Sequence, residues 1–292
     1  MTAIIRLLRP MQWLKNTFVF MPLVFSKHLF DSAYLGKALL AFVAFCAASS
    51  TVYIINDIVD RDADKFHPEK KKRPIASGEI SVETASIVAI FMFGFSITWA
   101  LKLSLFFFSI ILLYVALQFA YSFKLKHVVI IDVFIIAIGF MLRMFGGAVA
   151  IDVVISHWII ITTLFLSLFL AVSKRRSELV MIHKHHIKTK RRVLDEYSVQ
   201  FLDYILVITA TGMAISYSLY TMAERTITVF GSEYLIFTTI FVLFGIFRYL
   251  FLVLVKDLGE NPTAILVKDA PTAMNMLLWI LSCVCIIYFL KA

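Results

Sequence analysis

Asn56-Asp57-Ile58-Val59-Asp60-Arg61-Asp62-Ala63-Asp64 gathers oxygen-bearing side chains at the point where an apolar run ends. On a helix Asn56, Asp60 and Asp64 recur every four residues and Asp57 lies beside them, so their oxygens share one face. Carboxylates this close repel one another unless a cation joins them. A hard divalent ion with oxygen ligands is the natural partner, and Mg²⁺ typically keeps positions open for substrate phosphates. Asn56, Asp57, Asp60 and Asp64 are thus the expected metal ligands, with Asp57, Asp60 and Asp64 as the acids that support catalysis. Basic residues follow at once in His67-Pro68-Glu69-Lys70-Lys71-Lys72-Arg73-Pro74. Acid then base in one loop points to a phosphate-bearing substrate held through a metal, with Lys70 and Arg73 as the preferred phosphate ligands. Arg73-Pro74-Ile75-Ala76-Ser77-Gly78 adds a proline-fixed turn and a small flexible one, which predicts a loop folded back over the acidic face. The competing reading is a solvated charged loop between two membrane spans.

Other charges cluster where apolar segments end. In Arg9-Pro10-Met11-Gln12-Trp13-Leu14-Lys15-Asn16, Pro10 suits a helix start and Trp13 an interfacial anchor. Lys15 there either anchors the chain or binds substrate. Tyr121-Ser122-Phe123-Lys124-Leu125-Lys126-His127 is a short turn that offers Lys126, with Asp132 and Arg143 in the apolar segment that follows. A charge at the centre of a spanning helix costs about 2.5–3.5 kcal/mol on insertion scales, so it faces a partner or a wet cavity. Asp132 and Arg143 either line one such cavity or pair with other helices. Lys174-Arg175-Arg176-Ser177-Glu178 sets Lys174 and Glu178 at i, i+4, while Arg175 and Arg176 widen a basic surface at a helix C-terminus, a place that favours cations in any case. His183, His185 and His186 lack carboxylate partners, so no metal site is expected on them. Lys256-Asp257-Leu258-Gly259-Glu260-Asn261-Pro262-Thr263 reads as a turn-rich loop before the last apolar segment.

The elements that must position these residues are membrane helices. The chain of 292 residues is 61% hydrophobic, only 16% charged and holds 28 Phe, more apolar surface than a soluble domain of this size can bury. We expect nine spans, at roughly 16–34, 37–56, 84–102, 105–123, 128–149, 157–173, 202–222, 233–255 and 272–290. Each must satisfy its own backbone hydrogen bonds, so the fold class is an all-α integral membrane bundle. The segment from Thr17 to Ser26 reads as the start of the first span rather than a signal-peptide core. With the N-terminus cytoplasmic and the C-terminus outside, roughly 21 of the 28 basic residues lie on the inner side. The expectation is one polytopic domain over 1–292 in the plasma or inner membrane, with cytoplasmic loops near 57–83, 124–127, 174–200 and 256–271 and a site that opens to the cytoplasm. Cys46, Cys283 and Cys285 fall in spans and support neither a disulfide framework nor a metal clip. The net charge of +9 suits anionic headgroups of the lipid bilayer, and nothing points to nucleic acid. Oligomeric state is not legible.

These residues resemble the UbiA-type intramembrane prenyltransferase superfamily, whose members are nine-helix bundles with a polar cavity open to the cytoplasm. The resemblance covers essentially the whole chain. Its specific part is Asn56-Asp57-x-x-Asp60-x-x-x-Asp64 followed by His67-Pro68 and Arg73-Pro74-Ile75-Ala76-Ser77-Gly78, residues that in the superfamily coordinate Mg²⁺ against a diphosphate. Within the group, Arg9-Pro10-x-Gln12-Trp13-x-Lys15-Asn16, the stretch from Tyr121 to Asp132, Arg143, Lys174-Arg175-Arg176-x-Glu178-Leu179 and Gly259-Glu260-Asn261-Pro262-Thr263 are similar to the decaprenyl-phosphate phosphoribosyltransferase branch. One departure from the wider group is informative. Where ordinary prenyl-diphosphate transferases carry a second aspartate-rich motif, this chain has Lys174-Arg175-Arg176 and a single acid, Glu178. One acidic motif with one basic motif suits two phosphorylated substrates, a metal-bound diphosphate and a lipid-linked phosphate held by Lys or Arg.

The resemblance therefore implies Mg²⁺-dependent transfer of the 5-phosphoribosyl group from phosphoribosyl pyrophosphate to a polyprenyl phosphate. Lys70, Arg73 and Lys126 are expected to share the donor's phosphates. The lipid phosphate falls to some of Lys15, Arg143, Lys174 and Arg175, with Asn56 and Glu178 completing the substrate-binding set. Two other classes compete. A prenyltransferase acting on an aromatic or quinone-precursor acceptor shares the metal logic but calls for a second carboxylate cluster. A transporter or lipid-binding scaffold does not call for a metal-spaced acidic helix.

Overall fold

The computed structural model describes residues 2–66, 70–185, 192–259, 265 and 268–290. His67-Pro68-Glu69, His186 and Glu260 to Thr263, singled out above, lie outside them. No strand occurs among the described residues. The helices are α1 (Ala3–Leu8), α2 (Met21–Phe25), α3 (Ser32–Val59), α4 (Arg61–Asp64), α5 (Val82–Leu103), α6 (Leu105–Phe123), α7 (Ile131–Ile151), α8 (His157–His185), α9 (Val199–Met222), α10 (Glu224–Phe230), α11 (Thr239–Leu254) and α12 (Ala270–Tyr288). Short side chains start several of them. Asp31 accepts the Ala33 and Tyr34 amides at the head of α3, Ser81 that of Thr84, Ser198 that of Phe201 and Asp269 that of Thr272, each satisfying a donor that the first helical turn leaves open.

Among the described residues, eight helical segments are long and apolar enough to cross a membrane: Ser32–Val59, Val82–Leu103, Leu105–Phe123, Ile131–Ile151, His157–Lys184, Val199–Met222, Tyr234–Leu254 and Ala270–Tyr288. They correspond to the second through ninth expected spans. The segment expected as the first span has a different form: a 3-10 helix over Pro10–Phe20 runs into α2, and α3 starts early at Ser32. Large apolar side chains face outward along these helices, among them Ile90 at 73%, Phe106 at 79% and Ile240 at 67% exposure. A surface of this kind needs lipid, not water, against it. The chain is a multi-pass membrane protein.

The chain forms two compact units. The first comprises Met1–Leu23, His28–Phe123 and Leu142–Val153. Its centre is the small-residue face of α3, where Ala38, Ala41, Ala44, Ala47 and Ala48 are buried and let neighbouring backbones come close. Gly147 shows how close, since a β-carbon there would stand 2.1 Å from the Val19 carbonyl oxygen. Phe45 fills the space beyond, edge-on to Phe107 and Tyr114. A second cluster, Leu7, Ile54, Ile75, Ile80, Ala85 and Ala89, pins the loop after α4.

The second unit comprises Val24–Lys27, Lys124–Met141 and Val154–Ala292. It is built on α8 against α9, with Phe169, Val172, Leu206, Tyr249 and Val253 in its core. Farther along, Tyr217 shares its hydroxyl with Thr238 (2.6 Å) and accepts the indole N–H of Trp279 (2.9 Å), so these three polar tips inside the apolar unit are paired.

Candidate active site

In the first unit, α3 carries Asn56 and Asp57 on its last turn, pauses at Asp60 and resumes as α4. The pause does not break the helical track, because the Asp60 amide donates to the Asn56 carbonyl and the Asp64 amide to that of Asp60, both at 2.9 Å. Asp57 and Asp64 are buried at 2% and 3% exposure, while Asn56 and Asp60 are half-buried. The loop beyond folds back as its proline and glycine suggest. Ser77 donates its amide to the Arg73 carbonyl, Ile80 to that of Pro74, and Gly78 takes the left-handed conformation, φ 80°. With Ile75 and Ile80 sunk in the apolar cluster, this turn is held in place and carries Arg73 with it. One guanidinium nitrogen, Nη1, donates to Asp57 Oδ1 at 2.9 Å and to Asp64 Oδ2 at 2.6 Å. Arg9, left-handed at φ 53° just before Pro10, adds a second guanidinium to Asp57 and lies over the Tyr53 ring. Among the described residues no three His, Cys, Asp or Glu side chains gather on their own into a metal cluster. Arg73 is the cation on which the two buried carboxylates converge. Lys70 is exposed, on a short 3-10 turn over Lys70–Lys72.

The same unit holds a second polar centre. Asn16 is fully buried and donates to Ser49, while its carbonyl oxygen accepts Arg143 Nε at 2.7 Å. Arg143, 4% exposed, also donates to the Tyr114 hydroxyl at 2.8 Å. Lys15 precedes Asn16 with its ammonium near Arg143 and Arg9. The positive charges of those two arginines act on it. Three cations in proximity make this an anion-seeking place.

In the second unit, the basic run at the end of α8 divides by depth. Arg175, 1% exposed, donates Nε to the fully buried Asp132 at 2.5 Å and Nη1 to Glu178 at 2.7 Å. Arg176 is buried too and ties α8 to Asp203, to the Val253 carbonyl and to Asp257. Lys174 alone of the three is substantially exposed, at 44% of its side chain, with Nζ 3.9 Å from Glu178. The broad basic surface read from Lys174-Arg175-Arg176 is thus narrower than expected, because two of its guanidiniums turn inward to carboxylates far away in sequence. Lys126 is half-buried on a 3-10 turn over Leu125–His127. Asp132 and Arg143 each have partners on other elements, Arg175 and Tyr197 for the first and Asn16 and Tyr114 for the second.

Residues outside the expected set also belong to these centres. Arg9 and Tyr114 touch Asp57 and Arg143, and Tyr197 donates its hydroxyl to Asp132 at 2.8 Å. Arg9 carries one signal in the sequence, a cation next to a proline at a helix start. Tyr114 and Tyr197 carry none.

Comparison with known proteins agrees with this architecture. Residues 17–281 match the UbiA prenyltransferase family. The decaprenyl-phosphate phosphoribosyltransferase of Mycolicibacterium smegmatis is 33% identical, over 99% of this chain and 93% of its own. That of Corynebacterium glutamicum is 32% identical, over 99% and 87%. Among solved structures, a UbiA homolog from Archaeoglobus fulgidus bound to GPP and Mg²⁺ superposes with a TM-score of 0.73 at 21% identity, over 98% of this chain and 99% of that one. The chain belongs to the UbiA prenyltransferase family and is an enzyme of that superfamily.

Proposed function

We propose that this enzyme transfers the 5-phosphoribosyl group of phosphoribosyl pyrophosphate to a polyprenyl phosphate, releasing pyrophosphate in a Mg²⁺-dependent reaction. The observation that carries the reading is the convergence of two buried carboxylates, Asp57 and Asp64, on one cationic nitrogen. Such a pair is suited to a cation by charge, by its oxygen donors and by the way Arg73 already stands between them. The two relatives similar over nearly the whole chain, both decaprenyl-phosphate phosphoribosyltransferases, support the choice of donor and acceptor. Asn56, Asp57, Asp60 and Asp64 would hold Mg²⁺, which when bound supplies positive charge to the departing pyrophosphate.

The chain's own residues do the rest. Lys70 and Arg73 bind the donor's diphosphate, and Lys126 shares its phosphates. For Arg73 this exchanges carboxylate oxygens for phosphate oxygens, one charge-assisted contact for another. Lys15 and Arg143 hold the acceptor phosphate. A dianion arriving between them relieves the repulsion among the gathered cations. Lys174, at the end of α8, is assigned to phosphate binding, and Arg175 and Glu178 steady the helical turn that carries it. An oxygen of the lipid phosphate forms the new bond to ribose C1 as the C1–O bond to pyrophosphate breaks. A phosphate monoester is already anionic at neutral pH, so no strong general base is required. The positive charge that builds at C1 is tolerated beside carboxylates.

The topology proposed with this reaction is one membrane domain with nine crossings, N-terminus inside, and a site on the cytoplasmic side of the plasma or inner membrane. A 3-10 helix rises about 2.0 Å and an α-helix about 1.5 Å per residue, so residues 10–25 reach about 30 Å, the thickness of a hydrocarbon core. That length supports counting them as the ninth crossing.

The test uses purified protein, Mg²⁺, labelled phosphoribosyl pyrophosphate and a short polyprenyl phosphate. Label should enter the organic phase, and Asp60→Ala should abolish the transfer while staying folded in detergent. No lipid-soluble label, together with turnover of a prenyl diphosphate on an aromatic acceptor, would replace this reading with a prenyltransferase.

A further inference from the structure

Ile130 adopts φ 68° in the turn that leads into α7. A β-branched side chain pays heavily for that left-handed backbone, and such outliers persist only where their surroundings over-determine them. Packing does not explain this one, because Ile130 is 48% exposed. Hydrogen bonding does. The Ile130 amide donates to the Tyr197 hydroxyl at 2.6 Å, and the same hydroxyl donates to Asp132 Oδ1 at 2.8 Å. Tyr197 is 7% exposed and Asp132 fully buried, with the second Asp132 oxygen fixed by Arg175. One phenolic oxygen therefore joins the strained amide to a carboxylate that cannot move.

The segment before Ile130 is a run of tight backbone bonds. The His127 amide donates to the Lys124 carbonyl, Val128 to that of Leu125, Ile131 to that of Val129 and Asp132 to that of Val128. Fixing Ile130 and Asp132 thus fixes the 3-10 turn over Leu125–His127, and the turn over Arg192–Glu196, just before Tyr197, packs against it. That turn carries Lys126. We propose that Tyr197 is a positioning residue for the donor's phosphates, acting through the strained Ile130 backbone on Lys126. This rests on the reading of Lys126 as a donor-phosphate ligand given above.

The test pairs kinetics with amide exchange on the full chain in detergent. Tyr197→Phe keeps the ring and removes the clamp. It should raise the KM for phosphoribosyl pyrophosphate about tenfold, with kcat and the KM for polyprenyl phosphate changed less than threefold. Adding Ile130→Gly to Tyr197→Phe should recover most of that KM, because glycine takes positive φ without strain. Lys126→Ala with Tyr197→Phe should be no worse than Lys126→Ala alone. Hydrogen exchange over residues 124–134 should be at least tenfold faster in Tyr197→Phe than in the wild type. Unchanged exchange overturns the clamp whether or not the enzyme uses this donor. Faster exchange with an unchanged donor KM overturns the positioning role. A Lys126→Ala variant that is equally silent then places the error in the assignment of Lys126.

Discussion

Replacing Asp132 with alanine strands the Arg175 guanidinium. Both groups are almost wholly removed from solvent, at 0% and 1% exposure, and Nε of Arg175 has Asp132 as its carboxylate. Breaking a buried pair by removing one member typically costs about 3–5 kcal/mol, since the charge left behind has lost both water and partner. Here Glu178 still holds Nη1, which favours the lower end, about 3 kcal/mol, or on the order of a hundredfold in the unfolding equilibrium. The same logic predicts strong non-additivity. In Asp132→Ala with Arg175→Met the stranded charge is gone and an apolar chain fills its space, so the double variant should recover about 2 kcal/mol relative to Asp132→Ala. The assay is denaturant titration in detergent micelles followed by fluorescence of the native tryptophans. Stability of Asp132→Ala within about 1 kcal/mol of the wild type, or a double variant as weak as the sum of its singles, would show that the pair is not buried as described.

Gly147→Ala should lower the melting temperature markedly. Its β-carbon would meet the Val19 carbonyl oxygen at 2.1 Å, and backbone cannot yield as a side-chain tip can, so a loss of about 1–3 kcal/mol or more is expected. Arg73→Gln should bind Mn²⁺ more tightly than wild type without pyrophosphate, because a competing cation has left Asp57 and Asp64, yet it should need more donor for half-maximal rate; an electron-spin titration and a donor KM check the two halves.

Local pattern foretold the helices well because membrane helices are specified locally. A run of apolar residues near bilayer length has few other ways to satisfy its backbone, and α3, α5, α6, α7, α8, α9, α11 and α12 follow. The segment from Pro10 to Phe25 shows the limit. Hydropathy gives a span but not its winding, and what sets the winding there is side-chain demand from elsewhere, with Asn16 drawn to Ser49 and Trp13 to Ser50. Those partners sit more than thirty positions away, where no window of sequence sees them together.

The site divides along the same line. The acidic ladder was legible because Asn56, Asp57, Asp60 and Asp64 share one helical track, and the return of the loop was legible because Pro74 and Gly78 dictate their own backbone. The depth of each cation was not. Lys174, Arg175 and Arg176 look alike in sequence, but successive residues on a helix are turned about 100° apart and meet different surroundings. Arg175 meets Asp132 across 43 positions and Arg176 meets Asp203 across 27, whereas Lys174 turns outward. A run of basic residues at a helix end therefore contains two kinds of charge, those that hold helices together and those that turn to the surface. Only the buried carboxylates opposite them decide which is which.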